Sequence, residues 1–129
     1  MYRKYFADSG LVVLEHRNTL NEHNFVVLPR RIYATSGLIN FHTFHQYCIL
    51  VNQRNELKEF LAKNNIGTDI YYPVPLHKQE CFAHYNYNDS DFPNTNYISD
   101  HILALPIYSE ISEQKIITIV NMIKNFYMG

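Results

Sequence analysis

The sequence predicts one α/β domain over residues 1–129, an α+β sandwich in which a small antiparallel or mixed sheet packs against amphipathic helices. Three observations predict it. Apolar residues recur at helical spacing in several segments, most clearly in the last fifteen or so residues. Between those segments lie short runs rich in β-branched and aromatic residues. The composition, 47% hydrophobic and 18% charged over 129 residues, suits one domain with a real core.

Residues 1–10 read as the tail of a helix, with Tyr2, Tyr5 and Phe6 on one face and Ser9-Gly10 as its stop. Leu11-Val12-Val13-Leu14 is a short strand candidate. Residues 15–40 are polar and asparagine-rich around an apolar island, Phe25-Val26-Val27-Leu28, that Pro29 ends; they read as a hairpin arm or an irregular insertion. From Phe44 to Val51 the β-branched and aromatic content predicts a strand with near-continuous burial. Asn52 or Asn55 is placed to cap a helix over about 55–65, with Leu57, Phe60 and Leu61 on one face and an αL stop at Asn65-Ile66-Gly67. Thr68 to Tyr72 predicts another strand. It runs into Pro73 and Pro75, which hold the chain extended and out of a helix. A short helix is expected around 78–84. The next starts at Asp91-Phe92-Pro93 with Tyr97, Ile98 and Ile102 at helical spacing, and Leu103-Ala104-Leu105-Pro106 is an extended exit. Ser112 caps the last helix, Glu113 suits its first turn, and Ile116, Ile119, Val120, Ile123 and Phe126 form its buried stripe.

Charge excludes some functions. A formal charge of −1 and a pI near 6.6 give no electrostatic footprint for nucleic acid or an anionic membrane, and the Arg30-Arg31 doublet is not a patch. Cys48 and Cys81 are too few for a disulfide framework and fit a reducing cytosol. No apolar run approaches the length of a membrane helix, so a cytoplasmic protein is expected.

Seven histidines raise the question of a metal. His77, Cys81 and His84 would share one helical face, and imidazole with thiolate suits zinc. Against this, His42 and His45 enter a strand, where residues three apart point to opposite faces, and His77 directly follows the prolines. Satisfied or solvent-facing histidines are the default, so no metal ligand is assigned. A nucleophilic cysteine is weaker still: Cys48 sits mid-strand, and nothing near Cys81 reads as an activated base. Four glycines cannot build the usual phosphate-cradling loop, and the eleven tyrosines read as core packing and dimer surface.

Three blocks then point further: Phe41-His42-Thr43-Phe44-His45-Gln46-Tyr47; Asn55-Glu56-Leu57 through Ile66-Gly67-Thr68; and Tyr71-Tyr72-Pro73-Val74-Pro75-Leu76-His77-Lys78-Gln79. In order and spacing the chain resembles the C-terminal small domain of the DegT/DnrJ/StrS sugar aminotransferases, pyridoxal-phosphate (PLP) enzymes of the fold-type I, aspartate-aminotransferase architecture. The resemblance is close over about 41–127 and loose over 1–14. It implies amino transfer from an amino acid such as glutamate to a keto-sugar nucleotide, for polysaccharide or glycoside synthesis, by a homodimer. It also implies that Tyr72 and His77 line the substrate side of the cleft as hydrogen-bonding groups. The competing assignment makes Tyr72 a strand-end packing residue and His77 a helix-entry cap; His45 is expected to be structural, bonded to backbone.

Two departures qualify this. Residues 15–40 are longer and less regular than the family's link. The family's lysine motif is also missing: none of Lys4, Lys58, Lys63, Lys78, Lys115 and Lys124 stands in it. The expectation is therefore that residues 1–10 are the remnant of a connector helix and that these residues alone hold no cofactor and no catalytic group. A large PLP-binding domain on a separate chain would be the partner. The alternatives are a noncatalytic binding or dimerisation module and a small metal-binding protein.

Overall fold

The computed structural model describes residues 1–11, 13–14, 20–21, 23, 25–39 and 42–129. Helix α1 (Tyr2–Asp8) buries Tyr2 and Phe6, one turn apart, and ends where the Ser9 hydroxyl donates to the Phe6 carbonyl at 2.7 Å. Gly10 follows at φ +77°, a conformation that suits glycine. Strands β1 (Val13–Leu14), β2 (Val26–Val27), β3 (Tyr47–Val51) and β4 (Ile102–Leu105) form one sheet in that spatial order. The β1–β2 pair is parallel and the other two pairs are antiparallel, so the sheet is mixed.

The apolar island of segment 15–40 is thus β2, with Val26 paired to Val51 and Val27 to Leu50. Residues 15–19, 22, 24 and 40 of that segment lie outside the described residues, as does Val12 of the first strand candidate. The predicted strand 44–51 begins later, at Tyr47, because Phe44 stands at φ +47°, outside the extended region. Along β3, Tyr47, Ile49 and Val51 are buried while Cys48 and Leu50 are half-buried, so one face is turned to the core.

Helix α2 (Arg54–Lys63) takes Gln53, not Asn52 or Asn55, as its N-cap. Both asparagines are occupied elsewhere. Asn52 Nδ2 donates to the Asn21 carbonyl at 2.7 Å, and Asn55 Oδ1 accepts from Arg54 Nε at 2.7 Å. The helix ends as expected: Asn65 is left-handed, Ile66 N donates to Leu61 O at 2.9 Å, and Asn65 N donates to Ala62 O at 3.0 Å. This is the Schellman pattern, with the buried Ile66 as its apolar contact.

The strand predicted over 68–72 reduces to a single antiparallel bridge between Asp69 and Ala104 on the outer side of β4. Asp69 Oδ1 takes the Ile70 N–H at 2.8 Å, so that donor is lost to the ladder, and the prolines beyond have no N–H to give. The helix expected at 78–84 is instead a series of tight 3₁₀ turns, Leu76–Lys78, Glu80–Tyr85 and Asp89–Asp91. Helix α3 (Pro93–His101) starts with Pro93 in its first turn and stops one residue before Ile102, which pairs with Leu50 and opens β4 rather than extending the helical stripe.

Helix α4 (Glu113–Met128) matches its expectation. Ser112 Oγ accepts from Lys115 N at 3.3 Å, and Ile116, Ile119, Val120 and Ile123 are buried, while Phe126, expected in the same stripe, is only half-buried at the edge of the core. Helices α1 and α2 pack on α4, and α3 lies against β3. The core joins Phe6, Ile49, Leu57, Leu61, Leu103 and Ile123, each at most 1% exposed. Tyr2 pins α1 to the end of β4 by donating to the Pro106 carbonyl at 2.7 Å. Among the described residues no helix is long and apolar enough to cross a membrane.

Candidate functional site

The double-proline segment runs along the outside of this framework and is fastened at both ends. At one end are the reciprocal Asp69–Ala104 bonds, 3.2 and 2.8 Å. At the other, Lys78 N donates to Pro75 O at 2.9 Å and starts the first 3₁₀ turn. In between, the buried Ser99 hydroxyl of α3 donates to the Pro73 carbonyl at 3.3 Å. A stiff strip is the result, with a hollow on either side of Leu76 and Thr95. One hollow, of about 270 Å³, includes Tyr71, Tyr72, Val74, Ile98 and Ser99; the other, of about 520 Å³, includes His77, Phe82, Tyr85, Tyr87 and Phe92; both share Leu76 and Thr95.

Tyr72 and His77 are therefore on one strip but in adjoining hollows. Tyr72 is 70% exposed, so it is no packing residue. His77 is the opposite, its side chain only 5% exposed. Its ring stacks on Phe92 with centroids 4.5 Å apart. Its Nε2 lies 3.4 Å from Asp89 Oδ1, inside ion-pair range but without hydrogen-bond alignment. Lys78 Nζ holds the other Asp89 oxygen at 2.9 Å, and that bond, with His77 adding to it, keeps the Asp89 carboxyl below the usual carboxylate range. His77 is not a helix-entry cap: Pro75 is the N-cap of that turn, with no side-chain cap bond.

Sequence reading missed the wall of the larger hollow. Phe82, Tyr85 and Tyr87 line it together with Phe92. Tyr85 and Tyr87 stack at 5.5 Å, and Tyr87 meets Phe92 edge-on at 5.4 Å and 87°. The signal was the density of rings between residues 82 and 92, which reads as core packing until the fold puts them at the surface.

A third, more polar hollow of about 290 Å³ lies across Tyr71, lined in part by His45, Gln46, Thr68 and Asp69. There the Asp69 charge raises the Tyr71 phenol pKa. His45 is exposed at its edge; the imidazole bonded to backbone is that of His42, whose Nδ1 accepts from Phe44 N at 2.8 Å. The shared face that a single helix would give His77, Cys81 and His84 does not form, since two separate turns carry these residues, with His77 on Phe92 and His84 on Tyr85. Among the described residues no group of three or more His, Cys, Asp or Glu could hold a metal ion. Burial pushes the Cys48 thiol up, away from reactivity.

PLP needs an amine for its Schiff base, a carboxylate for its pyridinium nitrogen and a phosphate cradle, and neither Lys78 nor Lys115 stands in such a set. Lys78 is tied to Asp89, and Lys115 donates to the Tyr108 hydroxyl at 3.1 Å. Lys115 does border a hollow of about 430 Å³, but no acidic residue lines it.

Comparison with known proteins gives the family. The DegT/DnrJ/EryC1/StrS aminotransferase family model matches residues 16–124. The pleiotropic regulatory protein of Geobacillus stearothermophilus is 35% identical over 104 residues, 81% of this chain and 27% of that protein. UDP-N-acetyl-3-dehydro-alpha-D-glucosamine 3-aminotransferase of Acidithiobacillus ferrooxidans is 34% identical over 88 residues, 68% of this chain and 23% of its own length. The chain thus spans well under a third of these relatives. Among solved structures, a DegT DnrJ EryC1 StrS aminotransferase from Brucella abortus aligns with a TM-score of 0.60 at 32% identity, over 65% of this chain and 22% of that one. S. venezuelae DesV, in complex with a ketimine intermediate, aligns over 99% of this chain and 31% of its own at a TM-score of 0.70; at 17% identity that likeness shows the fold alone. The chain belongs to the DegT/DnrJ/EryC1/StrS aminotransferase family.

Proposed function

We propose that these residues form the C-terminal small domain of a PLP-dependent sugar aminotransferase, acting in the cytoplasm on a keto-sugar nucleotide with an amino acid such as glutamate as donor. They are inactive by themselves. A large domain, on a separate chain or on more of the same polypeptide, supplies the cofactor, which serves as the electron sink for amino transfer. The observation that carries the reading is an α/β sandwich of this family in which Lys78 and Lys115 stand apart from any set that would hold PLP.

In this reading the strip 71–77 is the wall that the small domain adds to a cleft. The exposed Tyr72 offers its hydroxyl to the nucleotide-sugar, and Pro73 and Pro75 keep that hydroxyl at a fixed position. His77 lines the adjoining hollow and, through Phe92 and Asp89, fixes the turn that shapes it. Binding, orientation and exclusion of water are what such a wall contributes.

The test mixes the purified chain with PLP, glutamate and a keto-sugar nucleotide, alone and with a separately produced large domain of a family member. Alone, it is expected to retain no cofactor absorbance after gel filtration and to turn nothing over. With the large domain, activity should appear, and Tyr72→Phe should raise KM for the nucleotide-sugar without lowering the thermal midpoint. Turnover by the chain alone would overturn the reading. A second reading, a noncatalytic dimerisation or binding module, draws support from the exposed Val74, Leu76 and Tyr85. It would be favoured by a stable homodimer in sedimentation with no affinity for any large domain.

A further inference from the structure

A separate recess of about 260 Å³ lies between the start of α1 and the segments 29–31 and 43–47. Ile107, just past the C-terminal end of β4, borders it, whereas the hollow beside Tyr72 borders Ile102 at the opposite end of that strand. Arg3, Arg31, Thr43 and Tyr47 line the recess with groups that can donate hydrogen bonds, and among the described residues no carboxylate lines it. Arg3 is held in place, its NH2 donating to the Pro29 carbonyl at 2.6 Å. Tyr47 is only 5% exposed, with its ring 4.8 Å from that of Tyr2 and 5.6 Å from that of Phe44. Among the described residues its hydroxyl has no hydrogen-bond partner, and a polar tip so placed costs stability until something meets it. The two guanidiniums also repel. Burial, with the Arg31 charge adding to it and Tyr47 opposing, holds Arg3 below its ordinary range.

We propose that this recess binds a phosphate group, gripped by the Arg3 and Arg31 guanidiniums with the Tyr47 hydroxyl donating to it. Planar guanidinium forks match phosphate oxygens, and two positive charges suit a dianion better than a singly charged carboxylate. The volume is below that of ordinary small-molecule sites, so the phosphate enters alone and anything attached to it stays outside. Bound there, it ties α1 to the segment 29–31 and to the start of β3, so that occupancy stabilises the fold. The site stands independently of the small-domain reading.

The test uses the chain as it is. Thermal midpoints are measured in inorganic phosphate and in chloride of equal ionic strength. Affinities for inorganic phosphate, glycerol 2-phosphate and acetate come from amide shifts in NMR titrations. Phosphate should raise the midpoint and saturate, chloride should not, and the amides of Arg3, Arg31 and Tyr47 should move together. Acetate should bind at least about tenfold more weakly. Equal binding of glycerol 2-phosphate supports the site and assigns it to the end of a phosphate monoester; binding of inorganic phosphate alone supports it and assigns it to the free ion. Arg31→Gln, at an exposed position, should weaken phosphate binding by about tenfold or more, and Tyr47→Phe by less. Arg30→Gln removes the same charge one residue away, outside the recess lining, and should leave affinity unchanged. No gain over chloride, equal losses in Arg30→Gln and Arg31→Gln, or acetate bound as tightly as phosphate overturns the proposal.

Discussion

Replacing Arg54 with methionine should loosen α3 and with it the wall of both hollows. Arg54 opens α2, yet its NH1 reaches the carbonyls of Ser99 and Ile102 at 3.1 and 3.2 Å, while Nε is held by Asn55. The Ser99 carbonyl lies in the last turn of α3, where no intrahelical donor remains for it, and that of Ile102 lies at the C-cap where the chain enters β4. A hydrogen bond from a charged donor contributes roughly 1.5–3 kcal/mol. Both bonds are longer than the 2.7–2.9 Å typical of charged donors, and Arg54 is half-buried, so the low end applies to each. The two are not independent, since one nitrogen donates both. A net loss of about 2 kcal/mol follows, or about 8 °C in the thermal midpoint of a domain this size. Arg54→Lys keeps the charge but not the planar fork, and should lose about half as much. Circular dichroism on heating gives the midpoint, and amide exchange at Thr95, Ile98 and Ile102 tells whether the loss is local to α3. A methionine variant within about 1 °C of the parent, with unchanged exchange at Ile102, would refute the reasoning, because the carbonyls would then be as well satisfied by water.

Leu57→Ala removes a fully buried side chain between α2 and the core and should cost about 3 kcal/mol by denaturant titration, against almost nothing for the exposed neighbour Glu56→Ala. Burial holds the Tyr47 phenol pushed up to about 12, with Arg3 and Arg31 pulling against it. Its folded value lies above the ordinary one, so the contribution is complete below about 10 and is lost as pH rises toward 12; Tyr47→Phe should flatten that alkaline limb in a pH series of thermal melts. The Asp89 carboxyl is displaced the other way, chiefly by the Lys78 bond. Its contribution is present above the usual carboxylate value and fades as pH falls through the depressed one. Asp89→Asn should accordingly abolish the acid-side change in exchange at the 76–92 turns while leaving the core amides alone.

Elements whose periodicity coincides with burial were legible in advance. Helix α4 is the clearest, since cap, first-turn acid and apolar stripe all point the same way, and the Asn65-Ile66 stop of α2 is nearly as plain. Where a side chain competes with the backbone, local reading fails. Asp69 spends its carboxylate on Ile70 N and reduces a predicted strand to one bridge, and Asn52 reaches Asn21 and so gives up the capping position to Gln53. Strand β4 was concealed for another reason. Its residues 103–105 read as extended but not as a sheet strand, and Ile102 read as helical, because the partner that makes them a strand, Tyr47–Leu50, lies about fifty positions earlier. At the site, the proline strip was visible from its unusual residues, but the aromatic wall was not: whether a ring faces core or solvent depends on tight turns that have no apolar period to read.

One junction has mechanical weight. Helix α3 passes into β4 between His101 and Ile102 with no turn between them, and β4 in turn is held to β3 on one side and to Asp69 on the other. Thr95, Ile98 and Ser99 on that helix are also the floor of the two hollows. Floor and sheet are therefore one inflexible piece, like a trowel whose blade and tang are forged together. If a cleft against this face is to open and shut, the trowel swings whole, and the shape of the recess survives the stroke.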